Sequence, residues 1–146
     1  MFIGEYRYSI DNKGRVVLPP DFRTLLKGKI FIIKGFEKCL FVYDEDEWAV
    51  QQKRYSGLSD FGEKARKLKR LIFSGMIDVS LDKQGRVKIS QPLLQYAGIN
   101  KEVVVVGVNN KIEIWAKEKW DEFLGDNEDQ IELLAEELDS KLQEQD

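Results

Sequence analysis

Apolar and polar residues alternate at Tyr6, Tyr8 and Ile10, and again at Val16 and Leu18, on either side of Asp11-Asn12-Lys13-Gly14. Alternation with a period of two predicts half-buried strands, and a glycine free to adopt positive φ predicts a hairpin turn between them. The same arrangement returns at Ile77, Val79, Leu81 and then Val87, Ile89, around Asp82-Lys83-Gln84-Gly85. Pro19, Pro20 and Pro92 stop the second strand of each pair and lead into short helical turns, Phe22 to Leu26 and Leu93 to Ala97. Uninterrupted apolar runs, Ile30 to Ile33 and Val103 to Val106, then predict buried strands. Glycine-bearing turns connect these to Cys39–Tyr43 and Lys111–Trp115, and each series closes in a short helix that holds Trp48 or Trp120.

The recurrence is a duplication. At an offset of 71, FIGEYRYSIDNKGRVVLPPDF from Phe2 falls on FSGMIDVSLDKQGRVKISQPL from Phe73, matching Asp11 to Asp82, Gly14 to Gly85, Arg15 to Arg86 and Val16 to Val87. A one-residue insertion near Gly98 shifts the offset to 72, after which Gly35 meets Gly107 and Trp48 meets Trp120. The organisation expected is a first repeat over 1–56, a connecting basic helix over 57–71, a second repeat over 72–124 and an acidic, helical tail over 125–146. A unit of about 50 residues with four short strands barely buries a core alone. Two copies in one chain therefore predict an intramolecular pseudo-dimer whose strands interleave across an approximate two-fold axis, presenting Arg15 and Arg86 as a pair.

Outside the repeats the period changes to that of a helix. Asp44 with Glu47, and Asp60 with Glu63, have capping-box spacing. Phe61, Ala65, Leu68 and Ile72 predict one apolar stripe, with Lys64, Arg66, Lys67, Lys69 and Arg70 on the rest of that helix as a nucleic-acid surface or a solvated face. In the tail, Ile131, Leu134, Leu138 and Leu142 form a second stripe, suited to docking on the body or on a neighbouring subunit, or left to fray where acidic residues crowd the helix end.

Composition sharpens this picture. Of 146 residues, 42% are hydrophobic and 11% aromatic, enough for a packed core. The chain has no histidine, which removes the commonest general base and the commonest metal ligand, and neither catalysis, a metal nor a cofactor is expected. Cys39, the single cysteine, excludes an internal disulfide, fits a reducing compartment and reads as a small core hydrophobe. No apolar run reaches about 18 residues and the opening segment lacks an apolar h-region, so neither a membrane span nor a secretory signal is expected. The net charge of −3 hides an asymmetry: Glu118–Asp146 holds 12 acids and 2 bases, whereas residues 1–117 hold 14 acids and 21 bases. A basic body with an acidic tail suits a polyanionic partner better than the overall charge suggests.

The two loops concentrate the candidate chemistry. Asp11 and Asp82 head turns that fold back at Gly14 and Gly85, bringing Arg15 and Arg86 beside them. A carboxylate close to a guanidinium fixes the direction of the fork, which then suits guanine edges or phosphates, and Lys13 and Lys83 add point charge for phosphates. The alternative is an ordinary surface ion pair that pins a hairpin, worth about 0–1 kcal/mol. As a hydrolytic pair the aspartates fail, since each arginine keeps its neighbour ionised. No Walker loop or G-x-G-x-x-G is present.

These residues resemble the MraZ family: the opening MFIGEY, the two D-x-x-G-R strings, GFEKCLFVYDEDEW, and LKRLIFSG before the second string, together spanning about residues 1–124. The resemblance implies an α+β, β-rich fold of two tandem SpoVT–AbrB-like halves forming a pseudo-two-fold swapped-hairpin β-barrel with peripheral helices. It implies a cytoplasmic, nucleoid-associated regulator that binds double-stranded promoter DNA at repeats, represses its own division and cell-wall operon, and assembles with itself into ring-shaped homo-oligomers. Arg15 and Arg86 would contact DNA, with Asp11 and Asp82 orienting the loops. The alternatives are a ring-forming interaction scaffold and an antitoxin-like AbrB-type DNA-binding protein. Two features depart from the pattern: VKISQPL replaces VVLPPDF in the second half, and nothing in the family accounts for the tail beyond Gly125.

Overall fold

A computed structural model describes residues 1–145, with side chains described through Lys141. The first half folds as β1 (Phe2–Ser9), β2 (Arg15–Val17), α1 (Pro20–Leu25), β3 (Ile30–Lys34), β4 (Leu40–Tyr43) and α2 (Glu45–Ser56). After α3 (Glu63–Gly75), the second half repeats the order as β5 (Ile77–Val79), β6 (Arg86–Lys88), α4 (Gln91–Ala97), β7 (Glu102–Asn109), β8 (Lys111–Ala116) and α5 (Lys117–Asn127). A short turn of 3₁₀ helix, Glu128–Gln130, leads to α6 (Ile131–Gln145).

Six strands form one antiparallel sheet in the order β1-β7-β8-β4-β3-β5, and β2 pairs with β6 in a separate ribbon. The order reads alike from both ends. Equivalent strands β4 and β8 meet at the centre, β3 and β7 flank them, and β5 and β1 form the edges. Each half gives its first strand to the other: β1 pairs with β7 over eight residues, and β5 with β3 over three. Interleaving across a pseudo-two-fold axis is thus present. A closed barrel is not: the sheet is open, and among the described residues no ladder joins β1 to β5. The physical reason lies in β2 and β6, whose ladder bonds are committed to each other, with Val16 opposite Val87.

Both faces of the sheet are covered, which is why β3 and β7 are nearly continuous in apolar residues. Ile32, Val42, Val105, Ile112 and Ile114 turn towards the ribbon, α1 and α4, and pack with Val16, Val87, Phe22 and Leu93. Ile33, Phe41, Val104, Val106 and Trp115 face the other way and pack with Trp48, Ile72 and Trp120 from α2, α3 and α5. Phe22, 1% exposed, meets Phe2 and Tyr6 edge-on with ring centroids 5.5 and 5.3 Å away. Phe22→Ala is expected to destabilise the fold by about 3–5 kcal/mol, read as a lower urea midpoint at unchanged slope.

The duplication is imperfect in structure. Phe2 is a buried anchor at the start of β1, whereas the matching residues Phe73–Gly75 are the last turn of α3. The linker also departs from its sequence pattern. Asp60 does not cap α3, which begins at Glu63 after Gly62; its carboxylate instead accepts from Lys69 Nζ at 2.8 Å. Phe61 precedes the helix and stands 98% exposed, so the expected stripe shrinks to half-buried Ala65 and Leu68 and buried Ile72. Arg66 donates to the carbonyls of Asp60 and Phe61 at 2.9 and 3.0 Å, closing the preceding turn. At α2 the cap is half formed: Asp44 accepts from the Glu47 N–H, while the Glu47 carboxylate accepts from Gln51 and Asn110. In α6 all described residues are exposed, so Ile131, Leu134 and Leu138 do not dock on the body of their own chain; the side chain of Leu142 lies outside the described residues.

Candidate nucleic-acid interface

Each Asp-x-x-Gly-Arg segment folds as a closed loop held by one carboxylate. Asp11 Oδ1 accepts from the backbone N–H groups of Lys13 and Arg15, both at 2.9 Å, and Oδ2 accepts from Arg15 Nε at 2.6 Å. Asp82 repeats the pattern, with Gln84 and Arg86 N–H at 2.9 Å on Oδ1 and Arg86 Nε at 2.7 Å on Oδ2. The chain turns back where Gly14 and Gly85 adopt φ of +78° and +75°, a region costly for other residues. Because Nε is engaged in each case, the two terminal nitrogens of each guanidinium form a fork of fixed direction.

The halves brace each other. Leu18 N–H donates to the Gly85 carbonyl at 3.0 Å and Ile89 N–H to the Gly14 carbonyl at 2.9 Å. Arg86 Nη1 lies 3.7 Å from Asp11 Oδ2, so one carboxylate touches both arginines. Residues opposite one another in an antiparallel pair share a face, and the next pair along turns to the other face. Val16 and Val87, both 0% exposed, anchor the inner face of the β2–β6 ribbon. Arg15 opposite Lys88, and Val17 opposite Arg86, therefore form its outer face. Exposed Lys13 and Lys83 sit in the adjoining turns. The structure brings all eight sequence-selected residues, Asp11, Lys13, Gly14, Arg15, Asp82, Lys83, Gly85 and Arg86, to this one ribbon and its two turns.

Two cations join them that the repeat argument passed over. Lys88 takes the place that Val17 holds in the first half and lies directly across from Arg15. Arg23, on α1, puts its guanidinium where a Cβ on Gly85 would stand, and its Nε is buried without a hydrogen-bond partner among the described residues. The equivalent of Arg23 is Leu94, whose side chain approaches Gly14. The signal was legible as the two mismatches between VVLPPDFR and VKISQPLL, which place a cation in one half only.

The same hydrogen bonds set the electrostatics. The Arg15 backbone N–H, helped by the Arg15 guanidinium and the Lys13 N–H, holds the Asp11 carboxyl down at about 2, against partial desolvation. Asp82 is lowered for the same reasons, led by the Arg86 backbone N–H. Since the folded value lies below the ordinary carboxylate value of about 3.9, the loop's contribution to stability is fully present above about pH 4. It is lost as pH falls through about 2. An NMR titration of carboxyl carbons is expected to place the Asp11 midpoint near 2; a midpoint near 4 would show that the loop is open in solution.

Away from the ribbon, Cys39 packs in the second core. Cys39 is fully buried, burial pushes its thiol pKa up, and its Sγ lies 3.2 Å from the Phe36 carbonyl. Among the described residues no helix is long and apolar enough to cross a membrane.

The chain is thus a duplicated unit with exchanged edge strands and a paired-arginine ribbon. A family model described as "MraZ protein, putative antitoxin-like" matches twice, over residues 1–71 and 72–141. The chain belongs to the MraZ family, as two tandem repeats. The match supports a regulator of the DNA-binding kind.

Proposed function

We propose that the protein is a sequence-specific, double-stranded-DNA-binding transcriptional regulator that represses its own operon. In this reading Arg15 and Arg86 contact base edges, Lys13 and Lys83 contact phosphates, and Asp11, Gly14, Asp82 and Gly85 hold the loops. Several copies, assembled in a ring on the nucleoid, engage several promoter repeats at once. The observation that carries the reading is the outer face of the β2–β6 ribbon, where both arginines and Lys88 stand on a strand pair whose inner face is locked in the core. A two-stranded ribbon fits the major groove, and an oriented guanidinium matches the O6 and N7 acceptors of guanine. Each arginine has its own aspartate, and Arg86 Nη1 also lies 3.7 Å from Asp11 Oδ2, a charge contact between the halves that a hairpin pinned by itself does not need.

Footprinting on DNA immediately upstream of the protein's own gene, with competitor duplex present, tests this. Protection over regularly spaced repeats is expected; uniform, competitor-sensitive protection would refute sequence-specific recognition. The antitoxin-like description of the family favours a second reading, in which the same face serves an antitoxin. A toxin gene beside this one, and a toxin copurifying with the protein, would distinguish it.

A further inference from the structure

On the face of the sheet away from the β2–β6 ribbon, a cleft of about 370 Å³ opens between the 3₁₀ turn Phe36–Lys38, strand β8 and helix α5. Its walls are aromatic. Phe36, 57% exposed, meets Phe41 edge-on with ring centroids 5.3 Å apart, and Trp115, Trp120 and Phe123 form a cluster with centroids 5.3 to 5.6 Å apart. Trp120 is buried, and its Nε1 has no hydrogen-bond partner among the described residues, a loose end that a finished core wall does not leave. A second cavity of about 350 Å³ adjoins the first and shares Glu37, Trp115 and Phe123. Apolar concavities of this size that hold a few polar groups are small-molecule sites.

The polar groups in the cleft are unbalanced towards acid. Glu113, its side chain 15% exposed, accepts from Trp115 Nε1 at 3.0 Å; Lys111 Nζ stays 3.9 Å from its other oxygen and 4.8 Å from the centre of the Phe41 ring. Burial pushes the Glu113 carboxyl up, and the charge of Glu37 adds to this against Lys111 and the Trp115 N–H. Glu37 and Lys38 adopt φ of +62° and +63°, a region L side chains rarely occupy. That turn separates their charges: Lys38 Nζ lies 4.9 Å from the centre of the Tyr96 ring, while Glu37 lines the cleft. In the adjoining cavity Lys119 is spent on the Ala97 carbonyl at 3.1 Å. Glu37, Glu122 and Asp126 have no ion-pair partner among the described residues.

We infer that this cleft binds a small organic cation, an ammonium group carried on an aromatic ring. The ring replaces water among Phe36, Trp115 and Phe123, and the ammonium takes the carboxylates of Glu37 and Glu113 with an aromatic face beside it, where carboxylate and ring quadrupole attract it together. Lys111 above Phe41 shows that these walls accept a cation. A polyanion has the wrong charge for the cleft, and so does the exposed stripe of α6, which Glu132, Glu136 and Glu137 flank. The cleft and the ribbon lie on opposite faces of the sheet, so ligand binding here is independent of the DNA contact.

Titrating the full-length protein with phenethylammonium, without DNA, and following tryptophan fluorescence tests it, since Trp115 and Trp120 stand in the cleft wall. A saturable change at millimolar concentration or below is expected. Phenylpropionate, with the same ring and the opposite charge, and methylammonium, with the charge and no ring, are expected to give none. Glu113→Gln keeps an acceptor for the Trp115 N–H and removes the charge; it and Glu37→Gln are each expected to raise Kd about tenfold, the size of one charge-assisted contact. Phe36→Ala alters an exposed ring, so the fold is not at risk, and it is expected to weaken binding severalfold with unchanged circular dichroism. The absence of a saturable change by tens of millimolar overturns the inference, whether the cleft is empty or another copy covers it. Equal binding of the anion overturns it as well, as does unchanged affinity in the Glu37 and Phe36 variants, which would place the ligand elsewhere.

Discussion

Replacing Arg15 and Arg86 together by alanine is expected to remove specific DNA binding while the fold survives. Each bidentate contact to a base edge contributes about 1–3 kcal/mol of discrimination. Losing both costs about 2–6 kcal/mol, a rise in Kd of roughly 30-fold to 10⁴-fold. The fold should tolerate the change because the inner face of the ribbon is carried by Val16 and Val87, and because Asp11 and Asp82 keep their backbone N–H partners when the guanidinium is gone. Fluorescence anisotropy with an operator duplex, alongside a urea titration, separates the two effects. Unchanged operator affinity in the double variant would return the loops to the status of hairpin pins.

The second large effect concerns the DNA. One ribbon presents only Arg15, Arg86 and Lys88 on its outer face, a small footprint for a stable complex at physiological salt. Linking several such faces raises affinity by about 10²–10⁴ when the spacing of the repeats allows simultaneous engagement. Operator fragments with two or more repeats are therefore expected to bind that much more tightly than fragments with one. Shifting the second repeat by half a helical turn should cancel most of the gain, since the two faces could no longer meet the same side of the duplex. Equal affinity for one and several repeats would contradict multivalent recognition.

Local features were legible wherever they depend on short-range pattern. The Asp-x-x-Gly-Arg loops, the stop at Pro19 and Pro92 and the buried runs in β3 and β7 all follow from period and turn chemistry, and the structure bears them out. The duplication also pointed to strand exchange, because a unit with four short strands cannot close its own core. Other features depended on tertiary choices. Whether β2 and β6 extend the main sheet or pair with each other is decided by which ladder partners they meet, and this turned an expected barrel into an open sheet with a ribbon. Phe2 and Phe73 match in sequence yet differ in structure, because the residues before Phe73 already form a helix that carries it past the strand start. Asp60 has the spacing of a cap, but the amine of Lys69, one helical face away, competes for the same carboxylate. Phe61 shows the limit of periodicity: it has the right spacing for the stripe but stands one residue before the N-cap, Gly62. Lys88 and Arg23 are passed over for the opposite reason: matching the repeats discards the mismatches, and each of these cations stands in one half only, Arg23 in the first and Lys88 in the second.

The central claim is that the paired arginines read bases and do more than supply positive charge. The double variant Arg15→Lys, Arg86→Lys separates these roles, because lysine keeps the charge but loses the planar fork. Its affinity for the operator and for a scrambled duplex should be measured at one salt concentration beside the unsubstituted protein. The account predicts unchanged affinity for the scrambled duplex and a loss of most of the preference for the operator; a fully retained preference would show that the ribbon contributes charge alone.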